Sequence, residues 1–272
     1  FCTLLYKNAV HIFSVRAETQ RICYDFVVEK GITKAGLQFF ELLTPDQRAS
    51  IRCVSADGAG WIAACIQKYC PNAERCADPF HVVSWATEAL DKERRKAWAE
   101  AHQVAKEAPK RSKGRPAKGE TENTEKKQAT SVKNLRYVLL KNPENLSENQ
   151  QAQLKFLTEA NPRLYFAYLL KEGLRLALKA GADEISEALT MWMAWAQRCR
   201  IPGFRELRLK IKRNFESIVA AAKHNLSNAR MEATNNKIKL VIRMAFGFRN
   251  KENMISMVML TCSDVRPRLS GR

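Results

Sequence analysis

The sequence predicts an α/β fold: a mixed sheet with crossover helices, interrupted by a large all-helical block. Three observations carry this expectation. Before His81, short β-branched and aromatic runs alternate with helical periodicities, as in a sheet covered by helices. From about 130 to 200, apolar residues recur only at helical spacings. The chain has 272 residues, 46% of them apolar, which suffices for a core and excludes whole-chain disorder.

The region 9–28 reads as strands, in the runs His-Ile-Phe-Ser-Val at 11–15 and Ile-Cys-Tyr-Asp-Phe-Val-Val at 22–28. A helix is expected over 34–43, with Leu37, Phe40 and Leu43 three residues apart and Pro45 as a stop. Residues 51–55 form a short strand that runs into Asp57-Gly58. A helix over 60–69 carries Ile62, Ile66 and Tyr69 on one face; Pro71-Asn72 ends it, and a strand follows at about 75–78. A long polar helix is expected over 83–107. The stretch after it, near 108–130, is basic, bears Pro and Gly and has almost no large apolar side chains, so a disordered loop is expected. Within it Gly114-Arg115-Pro116 resembles a minor-groove AT-hook core, although a solvated basic loop explains a tripeptide as well. Leu154, Leu157, Leu164, Leu169, Leu174 and Leu178 mark the helical block, and Trp192 and Trp195 are expected to pack in its core. Pro202-Gly203 is a boundary. Leu207, Ile211, Phe215, Ile218 and Ala222 then define an amphipathic helix, Ser227 or Asn228 caps the next one to about 245, Gly247 stops it, and a last helix covers 252–260.

Charge narrows the function. There are 46 Lys+Arg against 28 Asp+Glu, a net charge of +18. Residues 198–272 hold 17 Lys+Arg and 5 Asp+Glu, so two-thirds of the surplus lies in little more than a quarter of the chain. Such a concentration suits a polyanion, and nucleic acid is the commonest. No apolar run reaches the roughly 18–20 residues of a membrane span, and no signal-peptide pattern opens the chain; a cytoplasmic protein without a membrane partner is expected. Eight cysteines occur without a CxxC pair. Cys65, Cys70 and Cys76 with His81 fit no zinc-finger spacing, so buried free thiols are the reading taken. The chain begins with Phe1 and starts within a pattern, so upstream residues are expected.

Three acids stand out by position. Asp57 ends one strand, at the sheet edge where α/β sites gather. Asp78 ends the next and lies three residues before His81. Glu232 opens the helix that begins near Ser227, where it shares a face with Asn235, Asn236, Lys239 and Arg243. Two adjacent asparagines inside a helix carry a propensity cost that a plain solvated face does not require. Together the acids suggest a carboxylate cluster for Mg²⁺, a hard ion that prefers oxygen ligands.

The run 227–250, Ser-Asn-Ala-Arg-Met-Glu-Ala-Thr-Asn-Asn-Lys-Ile-Lys-Leu-Val-Ile-Arg-Met-Ala-Phe-Gly-Phe-Arg-Asn, closely resembles the terminal block of bacterial insertion-sequence transposases of the ISL-three type. Val-Ser-Ala-Asp at 54–57 and Ala-Asp-Pro-Phe-His-Val-Val at 77–83 resemble that family's middle block, and the segments 140–147 and 167–175 its helical insertion. The resemblance spans about 33–260. It implies an RNase H-like sheet with a DDE active site and a helical insertion before the glutamate, and 175 residues separate Asp57 from Glu232. The expected parts are then an RNase H-like first part at 1–92, the insertion at 93–202 and the C-terminal helices of the core at 203–272.

By this resemblance Asp57 matches the second catalytic acid and Glu232 the third, while Asp78 and His81 match an Asp-x-x-His signature. The family's first aspartate lies on the first strand; no aspartate precedes Asp25 here, so the chain is expected to be truncated and the enzyme incomplete. The intact enzyme would hold two Mg²⁺ ions about 4 Å apart, Asp57 on one and Glu232 on the other, with Mn²⁺ as a substitute. It would cleave transposon-end phosphodiesters and join the 3′ ends to target DNA. His81 would orient the scissile phosphate or a water, or else pack against the sheet. Lys237, Lys239, Arg243 and Arg249, with the amides Asn235 and Asn236, would contact double-stranded DNA, where phosphate contacts position the protein. A homo-oligomer on DNA, associated with the bacterial nucleoid, is implied. Two alternatives remain: a catalytically inactive DNA-binding remnant, and an RNase H-like nuclease without strand transfer.

Overall fold

The computed structural model describes residues 14–17, 43–56, 60–107, 124–226 and 229–262. In chain order the elements are β1 (Ser14–Ala17), α1 (Pro45–Ala49), β2 (Ile51–Ala56), α2 (Gly60–Tyr69), β3 (Glu74–Ala77), α3 (Pro79–Glu107), α4 (Thr124–Asn134), α5 (Arg136–Leu140), a 3₁₀ turn (Pro143–Asn145), α6 (Glu148–Ala160), α7 (Pro162–Ala177), α8 (Ile185–Arg198), α9 (Pro202–Arg213), α10 (Phe215–Lys223), α11 (Ala229–Met244) and α12 (Lys251–Cys262). They divide into two compact units, one from Phe1–His81 with Asn214–Arg272, the other Val82–Arg213.

The first unit holds a mixed sheet of order β1-β2-β3. β1 runs antiparallel to β2, with a register irregularity between Arg16 and Ala17, and β2 runs parallel to β3. Parallel neighbours need a crossover, and α2 supplies it. β2 is central and buried: Ile51, Cys53, Val54 and Ser55 are nearly inaccessible while Arg52 faces out. Its entry is fixed by α1, which starts with a capping box. Thr44 Oγ1 accepts from Gln47 N–H at 3.2 Å, and Gln47 Oε1 accepts from Thr44 N–H at 2.9 Å. The expected strand at 22–28 and the helix at 34–43 lie outside the described residues, except Leu43, a buried residue in a bend.

Cys53 and Cys76, on β2 and β3, pack with Ala220 and Ala221 of α10, and Leu226 covers this cluster. Leu226 is brought there by a Schellman cap: its N–H donates to Ala221 O at 3.0 Å, Asn225 N–H donates to Ala222 O at 3.1 Å, and Asn225 takes φ 48°. At one side of the joint His224 Nε2 lies 2.6 Å from Glu74 Oε2.

The second unit is all-helical. α7 packs on α6 and α8, and α8 on α9. Leu164, Leu170, Leu174, Ile185, Leu189, Trp192, Phe204 and Ile211 are its buried stripe. Trp192 is core, as expected, and its Nε1–H donates to Leu170 O at 2.8 Å. Trp195 meets Phe166 edge to face with centroids 5.7 Å apart. Gly173 permits that approach, since a Cβ there would lie 2.6 Å from the Trp195 ring. Of the basic disordered loop expected near 108–130, residues 108–123 lie outside the described residues, and from Thr124 on the chain is instead helical, in α4. Its Glu, Lys, Gln and Ala favour a helix once Ala129 and Leu135 have apolar surface to bury.

A buried ion network ties α7 to the segment before it. Lys171 Nζ donates to Leu139 O at 2.9 Å and to Lys141 O at 3.3 Å. It also lies 2.6 Å from Glu172 Oε1, an ion pair rather than an aligned hydrogen bond, since that oxygen has no hydrogen-bond partner. Arg175 Nε donates to Glu172 Oε2 at 2.7 Å and Arg175 Nη2 to Glu144 Oε1 at 2.9 Å. Burial pushes the Lys171 ammonium below its ordinary range, and Glu172 opposes the shift.

Two predictions follow from this packing. Glu172→Ala leaves two buried cations short of their shared carboxylate and is expected to cost about 3–5 kcal/mol in urea unfolding; a loss under about 1 kcal/mol would show that the network is relaxed in solution. Desolvation pushes the Cys70 thiol to about 11 and the Cys76 thiol to about 12. In native protein at mildly alkaline pH neither is expected to react with iodoacetamide, while both should react in denaturant, as read by peptide mass spectrometry.

Candidate functional site

β2 and β3 end level. Their last residues, Ala56 and Ala77, are register partners in the parallel pair, so both strands leave the sheet at one carboxyl edge. The next residues in sequence are Asp57 and Asp78. Asp57 lies outside the described residues.

Asp78 is fully described and buried, with a side chain 0% exposed. It stands immediately before α3, and its Oδ1 accepts from Phe80 N–H at 3.4 Å. Its Oδ2 lies 3.1 Å from His81 Nδ1. A carboxylate only accepts, so Nδ1 carries the proton and Nε2 is the acceptor of the neutral ring. The His81 side chain is 46% exposed. The structure therefore brings together the two residues of the expected Asp-x-x-His pair. Helix geometry accounts for the meeting: positions three apart lie on neighbouring turns.

Glu232 lies in the first turn of α11. Its side chain and that of Asn235 are outside the described residues. Asn236, Lys237, Lys239 and Arg243 are exposed, and so is Arg249 beyond the helix. α11 packs on α12, and among their described side chains Ile238, Met254 and Val258 are buried. The cations thus line the solvent side of a helix anchored by one apolar stripe. Among the described residues, no three His, Cys, Asp or Glu side chains gather as for a metal ion, and no helix is long and apolar enough to cross a membrane.

Two features escaped the sequence reading. Glu74 and His224 meet across 150 residues, and no local pattern signals a contact at that distance. The cap of α11 turns on Phe246, whose φ is 52°. Phe246 N–H donates to Arg243 O at 3.1 Å and Gly247 N–H to Ile242 O at 3.0 Å, a second Schellman motif. Gly247, the expected stop, also has a positive φ, 98°, but the residue at the first left-handed position of the cap is its neighbour Phe246.

Comparison with known proteins follows the same direction. A family model described as a transposase, of the ISL3 type, matches residues 7–258. The chain is 49% identical over 234 residues to the transposase for insertion sequence element IS1557 of two Mycobacterium tuberculosis strains, covering 86% of this chain and 53% of that protein. It is 29% identical over 216 residues to the transposase for insertion sequence element IS1001 of Bordetella parapertussis, covering 79% of this chain and 48% of the relative. The chain spans about half the length of the curated relatives it matches. No solved structure matches it.

The Asp78–His81 pair generates a prediction. Long-range proton–nitrogen correlations are expected to show His81 protonated at Nδ1, a preference lost in Asp78→Ala. The same substitution removes the acceptor of Phe80 N–H and is expected to cost about 1–3 kcal/mol. A neutral imidazole protonated at Nε2 alone in the native protein would dissolve the pair.

Proposed function

The chain belongs to the family of ISL3-type insertion-sequence transposases, and on that premise we propose that it forms the RNase H-like core of a DDE enzyme. In this reading the whole enzyme, to which this chain would supply Asp57 and Glu232, cleaves phosphodiesters at transposon ends and joins the freed 3′ ends to target DNA. The observation that carries the reading is the level carboxyl edge of β2 and β3, with Asp57 next in sequence after one strand and the buried Asp78–His81 pair after the other.

Mg²⁺ is the ion proposed, with Mn²⁺ as its substitute. The donor set fits, since Asp57 and Glu232 offer carboxylate oxygens and no thiol or ring nitrogen, the choice of a hard cation. When bound, the ion supplies Lewis acidity at the phosphoryl oxygen and an acidified water. Asp57 and Glu232 would hold it. Asp78 would hold His81 in place through Oδ2, and His81 would orient the scissile phosphate or the attacking water through Nε2. The chemistry calls for a further carboxylate beside these two. Asn235, Asn236, Lys237, Lys239, Arg243 and Arg249 would contact duplex DNA, mostly its phosphates, and the enzyme would act as a homo-oligomer on it.

Duplex affinity is expected to fall steeply with salt as phosphate neutralisation releases counterions. Charge reversal of Lys237, Lys239 and Arg243 together should weaken all duplexes alike and flatten the salt slope by about 3. Chemistry is tested by metal-dependent nicking of a labelled inverted-repeat duplex, with the chain joined to an upstream strand that carries an aspartate. Glu232→Gln keeps shape and loses the metal-binding charge, so nicking should vanish with duplex binding unchanged. Full nicking by that variant places the active site elsewhere, and binding without nicking by the parent favours a DNA-binding remnant.

A further inference from the structure

Among the described residues two non-glycine positions have positive φ, Asn225 at 48° and Phe246 at 52°. Asparagine tolerates the left-handed region, whereas a phenylalanine Cβ crowds the following carbonyl there. Glycine would close α11 without that crowding. The ring gains nothing in packing, since Phe246 is 100% exposed. A Schellman cap usually places an apolar side chain at the next residue, but here that residue is Gly247, which has nothing within 4 Å of a built Cβ. A backbone held in a costly conformation with its aromatic ring in water points to a partner for the ring.

The neighbours indicate the partner's chemistry. Arg243 precedes the ring by three residues and Arg249 follows by three, both exposed, with exposed Lys237 and Lys239 farther back on α11. Residues 229–251 hold six Lys+Arg and one acid, Glu232. Leu240 and Met244, spaced i and i+4, are 53% and 71% exposed and extend an apolar edge toward the cap. Protein interfaces are depleted in lysine at their centres. An aromatic ring flanked by cations is instead the make-up of a surface that follows a phosphate backbone and stacks bases.

We propose that Phe246 is a stacking platform for an unpaired base of the bound DNA, with Arg243 and Arg249 holding phosphates on either side. The inference rests on the DNA-transposase reading and deepens it. Strand cleavage leaves terminal nucleotides that have lost a stacking neighbour, and the exposed ring replaces that neighbour.

The test uses this chain with two duplexes of one sequence, one blunt and one ending in a single unpaired 2-aminopurine. Wild type should bind the overhang duplex more tightly and quench its fluorescence, and Phe246→Trp should keep both effects. Phe246→Gly should lose the quench and bind the overhang duplex about tenfold more weakly, with blunt-duplex affinity unchanged and a raised thermal midpoint, since glycine relieves the cap. Equal affinity for the two duplexes, with salt-dependent binding intact, overturns the inference and leaves the DNA-binding reading standing. Absence of salt-dependent binding to either duplex removes both. If Phe246→Gly instead dissolves a dimer in sedimentation, the ring belongs to a protein interface and the proposal fails.

Discussion

Small side chains where the sheet meets α10 are the constraint on which the candidate site depends. Cys53 and Cys76 on adjacent strands face Ala220 and Ala221, so the helix backbone comes close to the sheet. A leucine or phenylalanine at any of these four positions would force the helix outward, because close-packed interiors accept little added volume. The Asn225 turn then directs Leu226 back onto the same cluster, and α11, with Glu232, begins three residues later. The position from which the helix of Glu232 starts is therefore set by apolar contact. The half-exposed Glu74–His224 pair beside it adds at most about 1 kcal/mol.

Charge is divided between two roles. In the helical unit it is inward: Lys171, Glu172 and Arg175 are buried and pair with one another, Lys171 also donates to backbone carbonyls, and Glu93, also buried, pairs with Lys96 and Arg163. Such groups fix geometry and cannot meet a ligand without unfolding. In the terminal helices the charge is outward, one-signed and free of carboxylate neighbours in sequence apart from Glu232 and Glu252. That asymmetry turns a surplus of positive charge into a directed surface.

Most of the described fold could be read from the sequence because its signals are local. The β-branched run at 51–55, the helical spacing of Ile62, Ile66 and Tyr69, and Pro71-Asn72 fix β2, α2 and β3 to within a residue or so. The Asp78–His81 pair was legible for the same reason, an i,i+3 spacing at a helix start. α4 was not: its polar composition reads as loop, and Ala129 is buried only once a neighbour exists to bury it. The α10–sheet joint was hidden too, since alanines carry no positional signal and their partners lie far away in sequence. Phe246 violates a local rule, and a rule-based reading assigns the cap to the nearby glycine.

The order of the units along the chain has a temporal consequence. Val82–Arg213 is contiguous, so it can fold as soon as it leaves the ribosome. β3 must wait for α10, because Cys76 finds Ala220 and Ala221 only after the intervening helices have been made. At ordinary synthesis rates of about 5–20 residues per second that wait is roughly 7–30 s. During it β2 and β3 present thiols and an uncovered apolar face, with a loop still to be closed. A prefolded helical unit shortens that loop by holding its ends nearer than a random chain would. The sheet thus closes last, once α10 has been made.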